Sequence, residues 1–229
     1  VIDEIRRIKT IWPQPFIEFA DDNTFASKAH GRQLLRALAG EHIRWFTETD
    51  VSIAADAELL SLMCDSGCAQ VLIGFEAPTR APLERLEQKS NWKALQFDRY
   101  REAIETIQSF GITVNGCFIL GLDGAGPESF DEVLHFVRDS GLYEVQITVQ
   151  TAFPGTPLYE RLRREGRILR EGAWELCTLF DVNFRPSRMS VAQLEQGLRN
   201  LAREIYDAET TRERRRRFLR QRGREMHGQ

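Results

Sequence analysis

Side chains able to bind a small polar molecule gather where short apolar runs end. Asp21, Asp22 and Asn23 follow the run at 16–20, and Glu48, Thr49 and Asp50 follow the run at 43–47. Glu76 follows 70–75, and Gln150 and Thr151 follow 145–149. Asn115 lies within the run 112–120, with Asp123 beyond it. Carboxylates accept charge-assisted hydrogen bonds from an ammonium and paired bonds from neighbouring hydroxyls, while amides both donate and accept. Polar residues also collect wherever strands reach solvent. The convergence of all the strand ends, rather than any single residue, points to a binding site.

The elements that would bring those ends together repeat along the chain. Helical patterns at 27–39, 56–66, 97–110 and 129–140 stop at Gly40, Gly67, Gly111 and Gly141, and an apolar strand follows each. Glycine suits the left-handed conformation just past a helix. Tyr100, Ala103, Ile104 and Ile107 keep the helical period, as do Phe130, Val133, Leu134 and Val137. Ser27 and Asp56 are expected N-caps. Near-continuous apolar strands alternating with helices predict parallel strands buried on both faces, in a (β/α) barrel or a doubly wound sheet. Either arrangement gathers chemistry at the carboxyl ends of the strands. Thr156 and Pro157 open a further helix ending at Gly166, and residues 168–188 read as a loop. Ser190 then starts a long helix with Gln193 completing a capping box, and Leu194, Leu198, Leu201 and Ile205 form its apolar face.

Bulk properties narrow the class. The chain has 229 residues, 42% of them hydrophobic, and a net charge of −3, so it is a globular protein without a global field favouring nucleic acid. The run Arg212-Glu213-Arg214-Arg215-Arg216-Arg217 is short, terminal and without interleaved aromatics, and reads as a solvated helix face. No nucleic-acid partner is expected. No stretch approaches the roughly 18 consecutive apolar residues of a membrane helix, so no transmembrane segment is expected. The four cysteines do not form a secreted disulfide framework, which suggests a reducing cytoplasm. The histidines are scattered without ligand spacing. The chain starts without Met inside an amphipathic pattern of Ile2, Ile5, Ile8 and Ile11, and reads as truncated at its N-terminus.

Several segments match one known family. Phe19-Ala20-Asp21-Asp22-Asn23-Thr24-Phe25 resembles an F-x-D-D-N-x-F strand end, and Ser66 to Glu76 resembles a segment closing in G-x-E. Gly116-Cys117-Phe118-Ile119-Leu120-Gly121 resembles a G-x-F-I-x-G strand. Gln150 to Tyr159 resembles a turn of the form P-G-T-P-L-Y. In this order they resemble the radical S-adenosylmethionine (SAM) superfamily over Val1 to Gly166. Thr156 to Arg220 resembles the C-terminal extension of the subgroup that carries a cobalamin-binding domain and includes the hopanoid methylases.

The resemblance implies an α/β fold: a partial (β/α) barrel of parallel strands over 1–166, N-terminally truncated and lacking its first unit, with a mostly helical C-terminal extension over 167–229. It implies three cofactors, SAM, a [4Fe–4S] cluster and cobalamin, the last through an N-terminal domain outside this chain. The cluster would cleave SAM reductively to start radical chemistry, with methyl transfer to an unactivated carbon. Asp22, with Asp21 and Asn23, would approach the SAM amino group. Glu76 would face a ribose hydroxyl or the methionine part. Asn115, Phe118 and the turn at Ala152, Phe153 and Pro154 would border adenine, and Thr49 and Asp50 could reach SAM or substrate. No catalytic residue is assigned. A small, lipid-like substrate and an electron donor such as flavodoxin or ferredoxin are the implied partners.

The family holds its cluster on a Cys-x3-Cys-x2-Cys loop. Cys64 and Cys68 have the first spacing, but Val71 stands where the third cysteine belongs. These two, with Cys117 and Cys177, read as buried packing residues, and no metal site is assigned. A different reading is a non-catalytic barrel that has lost its cluster and binds a nucleotide or a partner.

Overall fold

The apolar runs build one parallel sheet. A computed structural model describes residues 1–84, 86 and 91–227. Among them β1 (Phe16–Phe19), β2 (Arg44–Thr49), β3 (Cys68–Glu76), β4 (Thr113–Leu120) and β5 (Glu144–Val149) form a 5-stranded sheet in the order β1-β2-β3-β4-β5. Every pairing is parallel. Sequential order is that of a barrel wall; a doubly wound sheet reverses direction at a switch point. This is the α/β fold that the sequence predicts.

Helices return the chain between strands. They are α1 (Ile2–Ile11), α2 (Lys28–Leu38), α3 (Ala57–Asp65), α4 (Arg80–Leu83), α5 (Trp92–Gln96), α6 (Tyr100–Ser109), α7 (Glu128–Ser140), α8 (Pro157–Arg164), α9 (Val191–Ile205) and α10 (Ala208–His227). The core lies between the helices and one face of the sheet. There Trp45, Val71, Ile73, Phe75, Val114 and Phe118 are fully buried. Phe75 and Phe118 stack with ring centroids 5.9 Å apart, and Phe136 of α7 meets Phe118 edge-on at 5.6 Å.

Caps follow local chemistry, with two departures from expectation. Gly67, Gly111 and Gly141 all have positive φ. Gly40 does not; a 3-10 turn over Ala39–Glu41 carries the chain on, and His42 takes the left-handed conformation instead, at φ 50°. Asp56 caps α3 through the Leu59 amide, whereas the Ser27 side chain caps nothing. Ser190 and Gln193 form the expected capping box on α9. Ile5 of α1 is buried, and Arg6 and Lys9 pair with the carboxylate of buried Glu41 at 2.8 and 3.6 Å.

The segment after β5 covers that strand's outer edge. The Val149 amide donates to the Leu179 carbonyl at 2.7 Å, and the Ile147 amide donates to the Tyr206 hydroxyl at 3.3 Å. Leu179 holds φ 68°, a strained conformation that costs a non-glycine residue about 1–3 kcal/mol. Leu194, Leu201 and Ile205 of α9 are buried, as the apolar stripe requires. The arginine run is not simply a solvated face. Arg214 is buried and donates to the Ile205 carbonyl at 2.7 Å, and Arg217 donates to the Arg138 and Asp139 carbonyls at 3.4 and 3.3 Å. These arginines cap the carboxyl ends of α9 and α7, where orphan carbonyls attract cations.

Candidate functional site

Side chains alternate across each strand, and the two faces of the sheet differ in kind. On β4, Val114, Gly116, Phe118 and Leu120 are buried toward the helices, while Thr113, Asn115, Cys117 and Ile119 are half-buried on the other face. Register extends this open face: Glu48 lies beside Leu72, Leu72 beside Asn115, Gly74 beside Cys117, and Cys117 beside Gln146. It is a polar floor with a few apolar members.

Glu76 dominates its upper end. The β3–β4 register shifts between Gly74 and Glu76, and Glu76 adopts φ 64°. The Ala77 amide spans it to reach the Phe75 carbonyl at 2.8 Å. Its side chain folds back over Gly74, into space that a Cβ there would occupy. Lys93 of α5 bonds the carboxylate and lies 3.4 Å from the Gly74 carbonyl. Tyr100 steadies this arrangement, its hydroxyl 3.2 Å from the Phe75 carbonyl and 3.3 Å from that of Lys93. Beneath it, burial and then the neighbouring Glu76 charge push the Cys117 thiol up to about 12. Such a thiol is no nucleophile.

The ends of β1 and β2 are tied in a knot. Asn23 donates to Asp50 at 2.7 Å and accepts from the Phe25 amide at 3.1 Å and the Thr49 hydroxyl at 3.4 Å. Asp50 also accepts from the Ser52 amide at 2.8 Å. Asn23, Thr49 and Asp50 therefore spend their polar atoms on each other. Asp22 is exposed beside them, and its charge acts on Glu48 of the open face. The Glu48 carboxyl is raised by burial first, then by Asp22 and Glu18.

Two amides have buried oxygens without partners among the described residues: Asn115 Oδ1, near the start of β4, and Gln150 Oε1, just past the end of β5. Buried polar atoms are paired in the great majority of cases, so such orphans mark places where a ligand or water supplies the partner. After Gln150, Thr151 and Ala152 are buried, while Phe153, 37% exposed, and Pro154 stand outward. Both main-chain groups of Ala152 are bonded to Asn183, so that residue offers no backbone hydrogen bond to a ligand. Phe118 does not join the site. It is 0% exposed and packs among the aromatic rings on the helix side, because it is an odd number of residues from Asn115 along the strand.

A cleft of about 610 Å³ adjoins Gln150, walled by Leu122, Leu158 and Pro82. Asp123 stands in it, bonded to Arg161 at 2.6 Å and Arg167 at 2.8 Å. Burial raises the Asp123 carboxyl, but the two guanidinium groups outweigh it and hold it below its ordinary value.

The structure thus places Glu76 and Asp22 at the carboxyl end of the sheet, with Phe153 and Pro154 at its rim; Asn115 shares the open face but lies near the start of β4, beside Leu72 and Glu144, because it is only the third residue of that strand. Glu48 and Gln150, which the sequence groups with the strand-end polar residues without giving them a role, lie on this face too, and the structure adds Lys93. Nothing in the short helix around Lys93 signals its role. Cys64 is exposed and Cys68 buried, with burial pushing the Cys68 thiol far up. Among the described residues no group of His, Cys, Asp and Glu is able to hold a metal ion, so these residues do not fit an iron–sulfur cluster. No described helix is long and apolar enough to cross a membrane.

Comparison with known proteins agrees with the motifs. Residues 156–229 match a family described as a domain of unknown function (DUF4070). The chain is 24% identical over 208 residues to bacteriochlorophyllide d C-12(1)-methyltransferase of Chlorobaculum tepidum, covering 90% of this chain and 44% of that protein. It is 29% identical over 177 residues to hopanoid C-2 methylase of Rhodopseudomonas palustris, covering 75% of this chain and 33% of that one. The chain therefore spans less than half the length of these relatives. Among solved structures, the radical SAM methyltransferase TsrM from Kitasatospora setae, with cobalamin and a [4Fe-4S] cluster bound, superposes with a TM-score of 0.60 at 16% identity. That match covers 92% of this chain and 41% of TsrM. The resemblance to the radical SAM superfamily, in the subgroup of the hopanoid methylases, stands, and the fold is that of these enzymes.

Proposed function

We propose that this chain, a radical SAM barrel by sequence resemblance and by fold, forms the SAM-binding wall of a cobalamin-dependent radical SAM methyltransferase. The observation that carries the reading is the open face itself. At its carboxyl end it presents a carboxylate fixed by its own backbone at Glu76 and an orphaned amide oxygen at Gln150, both fitting a nucleoside with hydroxyl and amino donors.

In this reading the Glu76 carboxylate accepts from the ribose diol, and Gln150, whose amide oxygen is orphaned beside the turn, meets the adenine edge. Phe153 and Pro154 cover one side of the base. Asp22 attracts the methionine ammonium, with Glu48 close behind. The described residues supply no cluster ligands, so the iron–sulfur cluster and the cobalamin would be held elsewhere in the working enzyme, and the role of this wall is to bind, orient and exclude water. The cleft beside Gln150 sets Pro82, Leu122 and Leu158 against charged Asp123, Arg161 and Arg167, and so has room for a small substrate with both apolar and polar groups; the hopanoid methylase among the relatives favours a lipid-like one. An electron donor of the flavodoxin or ferredoxin kind would supply the reducing equivalent.

The test is SAM turnover by the full-length protein under reducing, anaerobic conditions. Saturable SAM binding with release of 5′-deoxyadenosine or of a methylated acceptor is the expected result. A protein that binds no SAM under these conditions overturns the reading.

A further inference from the structure

One side chain from far along the sequence holds the turn after β5. The Ala152 amide donates to Asn183 Oδ1 at 3.1 Å, and Asn183 Nδ2 donates back to the Ala152 carbonyl at 3.1 Å. A single carboxamide therefore reproduces the two-way pairing that a neighbouring strand would offer. Asn183 is 7% exposed, so the pair is shielded from water. Cys177 adds a weaker contact, its Sγ 3.8 Å from the same carbonyl and 3.6 Å from Asn183 Nδ2.

Asn183 is itself anchored before it reaches Ala152. Its carbonyl accepts from the Leu169 amide at 3.1 Å, and the Arg185 amide donates to the Arg167 carbonyl at 2.7 Å. Between these bonds Ile168 and Phe184 pair antiparallel, and Phe184 is fully buried. This short ribbon lies in the region matched by a family of unknown function. Through one amide it reaches the residue immediately before Phe153 and Pro154.

We propose that Asn183 is a positioning residue for the adenine-bordering turn at 152–155. It touches no ligand. By satisfying both main-chain groups of Ala152 it fixes where the Phe153 ring and Pro154 stand relative to Gln150. The inference rests on the proposed function above, and it assigns part of the C-terminal segment a task in recognising the adenosyl group. The chemistry is selective. Asp in place of Asn keeps the acceptor for the Ala152 amide but sets a negative oxygen against the Ala152 carbonyl. Leu leaves the Ala152 amide buried and unpaired and its carbonyl with only the weak Cys177 contact.

The experiment uses the full-length protein and compares wild type with N183D and N183L. SAM affinity, methionine affinity and amide exchange at Ala152 are read for each. At neutral pH N183D should bind SAM about tenfold more weakly, the size of one lost hydrogen-bond pair, with methionine affinity unchanged and Ala152 exchanging faster. The protonated acid carries one donor and one acceptor, as the amide does. The gap between N183D and wild type should therefore close as pH falls through that acid's titration, and N183L, if it folds, should show no such recovery. A residue that merely stabilises the fold would lower the melting temperature without separating SAM from methionine. Equal SAM affinity in N183D and wild type overturns the positioning role alone. A wild type that binds no SAM overturns the proposed function, and this inference with it, while the exchange at Ala152 still reports whether Asn183 holds the turn.

Discussion

Lys93 stands over Glu76, its ammonium on the carboxylate and 3.4 Å from the carbonyl of Gly74, the residue across which that carboxylate folds. The pair is largely withdrawn from water, with the side chains 25% and 12% exposed. A left-handed backbone, a glycine and a lysine thus converge on one carboxylate orientation. Such convergence is how a strained conformation persists at a binding site.

If that orientation serves a ribose diol, Glu76→Ala weakens SAM binding about tenfold or more, the cost of losing hydrogen bonds to a charged acceptor. The barrel should stay folded, because this carboxylate lies on the open face and not in the helix-side core. Gly74→Ala should do the same without removing any ligand-contacting atom, since its Cβ takes the space of the folded-back side chain. Unchanged SAM titrations for both variants would show that Glu76 has been placed in the wrong role.

Glu48 predicts a pH dependence of one sign. Its carboxyl is raised in the folded protein, by burial and then by Asp22 and Glu18. A raised group contributes its stability below the unfolded value and loses it as pH rises through the folded value. Glu48→Gln should therefore gain stability relative to wild type between about pH 4 and about pH 7, read as urea midpoints across that range. A constant difference would mean that Glu48 titrates as it does in the unfolded chain.

Asp123 predicts the opposite slope. Despite burial, Arg167 and Arg161 hold its carboxyl low in the folded state. The stability it contributes is present above the ordinary carboxylate value and is lost as pH falls through the depressed one. Asp123→Asn should cost about 1–3 kcal/mol near neutrality, and the gap to wild type should shrink below about pH 4. An Asp123→Asn protein as stable as wild type at neutral pH would show that the two arginines gain nothing from the carboxylate.

The cysteines should differ in reactivity. Cys64 is exposed, whereas burial raises the thiols of Cys68 and Cys117, the latter to about 12. Iodoacetamide applied to the native protein should label Cys64 and spare Cys68 and Cys117 until denaturant is added, as peptide mass spectrometry would reveal. Rapid native labelling of Cys117 would mean that the open face is wetter than its packing implies.

The strands were readable because each is a short apolar run closed by a polar residue, and α9 because Ser190 and Gln193 announce its start. The same alternation that defines β4 also separates Asn115 from Phe118, yet a motif that spans both residues draws them into one expected site. Asn23 looked like a ligand because it ends a strand beside two carboxylates; its role as a knot depends on Asp50 and Thr49 of the next strand, which no local pattern reveals. Lys93 lies on a helix of 5 residues, too short to show a period. The arginines of α10 look solvated in sequence, because the carbonyls they cap belong to other helices, the preceding α9 for Arg214 and the distant α7 for Arg217. Long-range pairing is the common element in what the sequence left hidden.

The bonds that Leu179 and Tyr206 make to β5 also set a direction. Of the β5 amides that alternate away from β4, those of Ile147 and Val149 are already spent. A stray β-segment from a neighbouring molecule finds no free donors along that stretch, which guards it against edge-to-edge aggregation. Among the described strands β1 has no partner on its outer side, so the sheet is stopped along part of one edge and open along the other, like a zip with a stop at one end.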